Sequence, residues 1–124
     1  MRSLLLLIAL SAFATPAGAE PRQVLGYAGL LGEWELTASV TEKAASQPKE
    51  FSGPLTMTHV GLCTVDDPEE KKGVIRMRIS EARLRATILV DGVECSYRGR
   101  LSDSYAGTMN CPDRPAVPLK LWLR

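Results

Sequence analysis

The sequence predicts an all-β fold: a small antiparallel up-and-down β-barrel of about seven to eight strands, preceded by a short N-terminal helical turn. Three observations predict it. Apolar and polar residues alternate with period two over most of the chain, turn residues punctuate the alternating runs, and no stretch sustains helical periodicity. Strands with one apolar and one polar face must curl to bring the apolar faces together, and closure also removes exposed edges. A β-sandwich of the same strands is the alternative.

The chain opens on a segment outside this fold. Met1-Arg2 precedes an apolar run from Leu4 to Ala14, then Pro16 and Ala17-Gly18-Ala19. A short basic start, an apolar stretch too short to span a bilayer and small residues before a cleavage point are the marks of an export signal. Residues 1–19 are therefore expected to be removed, leaving residues 20–124 as a single exported domain, periplasmic or secreted. Residues 21–32 are expected to form one or two helical turns.

Alternation begins at Trp34, with Leu36, Ala38 and Val40 on one face and Glu35, Thr37 and Ser39 on the other. Leu55, Met57 and His59 continue it, then Ile75, Met77 and Ile79 against Arg76 and Arg78. Glu81-Ala82 is a weak turn before Leu84, Ala86, Ile88 and Val90. Asp91-Gly92 is a strong one, because a type I′ hairpin needs positive φ at both central residues. Val93, Cys95 and Tyr97 follow, then Ser102-Asp103-Ser104 as a turn, a strand over residues 105–111, and Leu119, Leu121 and Leu123. Residues 61–73 read as one long loop, acidic at Asp66, Asp67, Glu69 and Glu70. Trp34, Met57, Met77, Tyr97 and Met109 point inward, which predicts an interior filled by side chains.

Gly32-Glu33-Trp34, preceded by Leu30-Leu31 and opening the first alternating run, resembles the Gly-x-Trp opening of calycin-type barrels: lipocalins, avidins and small bacterial inhibitors of secreted metalloproteases. The resemblance implies a barrel in which Trp34 closes one end beneath a basic side chain of the last strand, Lys120 or Arg124. It supplies no ligand-binding residues.

In an exported chain, cysteines on facing strands are expected to bridge. With residues 102–104 as the turn, Leu101 faces Tyr105, Tyr97 faces Met109 and Cys95 faces Cys111. Cys95–Cys111 is the first expectation, and Cys63–Cys111, which would pin the long loop, is the alternative.

Chemistry-bearing motifs are scarce. His59 is the single histidine, and pairing with Cys63 would need a bend at Gly61. No nucleophile elbow, zinc-binding helix, phosphate loop or Cys-x-x-Cys pair is present, so neither an enzyme nor a bound cofactor or metal is expected.

Charge is more informative. Fifteen bases against fourteen acids give a net +1, too balanced for a nucleic-acid partner. Loss of residues 1–19 makes the mature chain neutral, yet residues 20–70 hold nine acids and three bases, while residues 71–124 hold eleven bases and five acids. The predicted hairpins set Arg78 opposite Arg85, Arg85 opposite Arg98 and Arg83 opposite Arg100, with Arg76 one outward position beyond Arg78. Six arginines then share one outer face bordered by Ala106 and Thr108. Paired with Glu33, Glu35 or Glu81 they would be ordinary solvated charges. Unpaired, they would bind an anionic envelope component or an acidic protein, since guanidinium forks suit carboxylate and phosphate. The rival expectation is a protein inhibitor of a secreted or periplasmic protease, wedging residues 20–24 or the 61–73 loop into a cleft.

Overall fold

A computed structural model describes residues 20–43, 48–60 and 69–124. The expected export signal, Cys63, Asp66 and Asp67 lie outside those residues. The architecture is a closed antiparallel barrel of eight strands in chain order, so the barrel rather than the sandwich is the outcome. The strands are β1 (Arg22–Ala28), β2 (Trp34–Glu42), β3 (Lys49–His59), β4 (Glu70–Ser80), β5 (Arg83–Val90), β6 (Val93–Leu101), β7 (Tyr105–Asn110) and β8 (Val117–Leu123). β1 pairs with both β2 and β8, which closes the sheet.

The expected helical turns are absent from residues 22–28, which instead form the closing strand β1. The reason is visible in its two faces. Val24, Gly26 and Ala28 point inward and are buried, whereas Leu25 and Tyr27 point outward. Small residues inside and large apolar ones outside cancel the usual alternation signal. The loop expected over 61–73 is shorter at its far end, because β4 begins at Glu70 and pairs Glu70 with Thr58 and Lys71 with Met57.

The interior is filled by side chains. Leu36, Val40 and Ile75 have no exposed surface, and Met77 and Tyr97 are 1% exposed. Met57 and Met109 are buried too, and Trp34, partly buried, packs against this core from one end of the barrel. The Tyr97 hydroxyl donates to the Tyr105 carbonyl at 3.1 Å, which satisfies its one buried polar group. Burial pushes the Tyr97 phenol up to about 12, because the anion cannot be hydrated there.

The Asp91-Gly92 turn follows its predicted chemistry, and a second turn, between β1 and β2, stands where helical turns were expected. Asp91 and Gly92 have φ of 50° and 75°, as a type I′ turn requires. Between β1 and β2, Gly29 and Gly32 have φ of 100° and 64°, and the Gly32 N–H donates to the Gly29 carbonyl at 3.2 Å. The Glu33 carboxylate accepts from the Leu31 N–H at 3.0 Å. This braced turn leaves Leu30 84% and Leu31 93% exposed.

Candidate anion-binding face

The six arginines are placed by two tight hairpins. Arg78 stands opposite Arg85 across β4 and β5, and β5 and β6 set Arg85 opposite Arg98 and Arg83 opposite Arg100. These are the pairings expected from the turn positions. All six side chains, Arg76 included, are on the exposed face of their strands. Thr108 opposes Arg98 and Ala106 opposes Arg100, so small residues border the array as expected.

The central four form a built feature. Leu84 and Gly99 pair between the two arginine pairs, and both face the interior. Arg83, Arg85, Arg98 and Arg100 therefore stand at the corners of a floor made of backbone. An open groove of about 380 Å³ lies there, lined by these four residues, Leu84, Gly99 and Ala106. Gly99 is required from inside, since a Cβ there would fall 2.2 Å from the Tyr97 hydroxyl oxygen. Gly107, which faces Gly99 on β7, permits a close approach of strands: its Cβ would meet the Arg98 carbonyl oxygen at 1.7 Å.

The electrostatics differ across the array. Arg78 is held by Glu50 of β3, whose Oε1 accepts from Nε at 2.9 Å and lies 2.9 Å from Nη2 in the same ion pair. None of the three acids weighed from sequence takes that place. Glu33 braces its own turn, and the ion pairs among the described residues are Lys71–Glu69, Lys72–Glu70 and Arg78–Glu50. Among the described residues, then, Arg76, Arg83, Arg85, Arg98 and Arg100 have no acidic partner within 4.0 Å. Like charges directly across strands destabilise a sheet by about 0.2–1 kcal/mol per pair. Glu50 escaped the sequence reading because its strand was expected to begin later, at Leu55.

The other sequence-predicted positions gather at the opposite end of the barrel. Trp34 sits at that end, as expected, but its basic neighbour is not Lys120 or Arg124. The Lys71 ammonium lies 5.1 Å from the Trp34 ring centre, and the His59 ring meets it edge-on at 4.7 Å. Lys120 points outward from β8, and Arg124 follows β8 at the far end, where its backbone N–H bonds to Gln23. Lys71 was hidden by the loop reading of residues 70–73. Cys95 and Cys111 form a disulfide at this same end, with Cα atoms 4.3 Å apart. That is the pair the β6–β7 register predicts. Cys63, the alternative partner, is outside the described residues.

A second concavity, about 320 Å³, opens at the far mouth of the barrel beside Arg22, Lys49, Phe51, Tyr105 and Trp122. The Arg22 guanidinium lies 5.9 Å from the Phe51 ring centre. Nothing in the sequence pattern marks it, because its lining comes from six different strands and the β6–β7 turn. No protein-family model matches this chain, and no curated protein matches it either.

Proposed function

We propose that this chain is an exported, non-enzymatic binding protein that attaches to an anionic envelope component or an acidic protein through its arginine face. The observation that carries the reading is the pair of like-charge couples, Arg83–Arg100 and Arg85–Arg98, around one groove. A fold gains nothing from opposing arginines in this way, whereas four exposed guanidinium forks around a shallow floor suit the capture of anionic groups. The Cys95–Cys111 bridge and the signal-like start support export. The Gly-x-Trp opening and eight-stranded closure support placement among calycin-like barrels.

The experiment is retention of the mature chain on an anionic matrix at low salt. Parent protein should be retained and released by salt, and Arg85→Glu/Arg98→Glu should flow through. Equal retention of parent and variant removes the reading.

A second reading, protease inhibition, is favoured by one observation. Residues 22–24 are woven into β1 with Val24 buried, so the expected N-terminal wedge is not free over most of its length. The braced turn bearing Leu30 and Leu31 is instead the protruding apolar feature. A rigid apolar tip enters a cleft with little ordering cost. If this reading holds, the parent chain inhibits a secreted protease of the exporting organism, and Leu30→Ser/Leu31→Ser does not. Absence of inhibition by the parent sinks it.

A further inference from the structure

We propose that the occupant of the arginine groove is an extended acidic peptide segment with acids at alternate positions, its two carboxylates held by two separate arginine couples. The inference rests on the arginine-face reading above and adds the chemical class and spacing of the ligand. Three observations lead to it.

The first is the grid. Arg83–Arg100 and Arg85–Arg98 are cross-strand couples two residues apart along β5 and β6. Couples so related are separated by about 6.6–6.8 Å along the strands, and the partners within each by about 4.5–5.5 Å at Cα. An extended peptide has the same repeat, so its alternate side chains fall at the same spacing as the couples. Acids adjacent in sequence point to opposite faces, and only one of them can reach the grid.

The second is a carboxylate already bound at the edge of the same array. Glu50 reaches Arg78 from the neighbouring strand, and its Oε1 accepts from Nε and sits 2.9 Å from Nη2. Arg78 is next to Arg85 in the same row across the sheet. The molecule's own acid thus shows how a carboxylate presented by an extended strand sits against this face.

The third is closure. Every strand of the barrel has two paired neighbours, so no edge remains for a partner to extend the sheet. A bound peptide must be gripped through side chains over the backbone floor at Leu84 and Gly99. Strand-like order in the peptide then matters only as a ruler for its acids.

The test compares two capped pentapeptides of equal charge by fluorescence anisotropy at low salt. One has glutamate at its second and fourth positions, the other at its second and third, with threonine elsewhere to favour extension. The expected result is tighter binding of the alternating peptide by about threefold to tenfold, the scale of one further set of exposed ion pairs. Arg83→Gln/Arg100→Gln or Arg85→Gln/Arg98→Gln should each erase that difference without lowering the thermal unfolding midpoint, since each removes opposed like charges. Equal binding of the two peptides overturns the proposal, as does binding of anionic phospholipid vesicles, dependent on all four arginines, with neither peptide bound. In both cases arginine-dependent retention on the anionic matrix leaves the function reading standing. Retention unaffected by the quadruple glutamine variant overturns both.

Discussion

Arg85 has an arginine on either side of it, Arg78 across one hairpin and Arg98 across the other. Its removal should relieve repulsion, so Arg85→Gln should raise the unfolding free energy by about 0.2–1 kcal/mol while lowering the salt concentration that elutes the protein from an anionic matrix. Denaturant melts and a salt gradient read the two effects, and their opposite signs separate a binding residue from a structural one. Glu50→Gln works the other way: it frees the Arg78 fork and should move elution to higher salt. The arginine couples were legible because tight hairpins fix register locally, whereas Glu50 was not, because the β3–β4 pairing depends on a long connection. Tyr97 gives a prediction from the interior. Its phenol ionises near pH 10 in the unfolded chain and about 12 in the fold, so the unfolded state releases its proton first. The stability is complete below pH 10 and falls as pH rises toward about 12, at up to about 1.4 kcal/mol per pH unit. Denaturant melts between pH 9 and about 12 should show this decline, and Tyr97→Phe should flatten it.

Among the strands, those with apolar residues on the inner face and hairpin turn residues between them were the readable ones. Asp91-Gly92 satisfies its turn with two residues at positive φ, and β5 and β6 follow with their registers fixed. β1 was missed because its larger apolar residues, Leu25 and Tyr27, face outward, and Tyr27 meets the ring of Trp122 at 5.9 Å on the outer surface. The first half of β3 was missed because Ser52, Gly53 and Pro54 interrupt the alternation that resumes at Leu55. The β4–β5 turn is built with less suitable chemistry: Glu81 has φ of 55°, a region that costs a residue with a Cβ about 1–2 kcal/mol and glycine almost nothing. Glu81→Gly should therefore stabilise the barrel by about 0.5–1 kcal/mol, measured as a higher denaturant midpoint with unchanged slope. Retention on the anionic matrix should not fall, because Glu81 neutralises no arginine within the described ion pairs.

At the scale of the whole barrel, the two ends differ in composition. One end collects Trp34, His59, Lys71 and the Cys95–Cys111 bridge, while the arginine grid occupies the wall between β4 and β6 and extends toward the other end. A net charge of +1 says nothing of this separation; the alternation and the hairpins reveal it, and closure through β1 and β8 completes it. The bridge spans sixteen positions, a loop for which cross-linking contributes about 3 kcal/mol by restricting the unfolded chain. Cys95→Ala/Cys111→Ala should accordingly unfold at lower denaturant, by about 2–4 kcal/mol. Binding should not follow stability. The grid is positioned by the Asp91-Gly92 hairpin and by burial of Leu84, Ala86 and Tyr97 beneath it, none of which needs the bridge. At a temperature where the double variant remains folded by far-UV circular dichroism, its elution from the anionic matrix should match the parent's. An elution shift in the folded variant would show that the bridge end helps to hold the arginine wall in shape, and that the grid is not a local product of its hairpin.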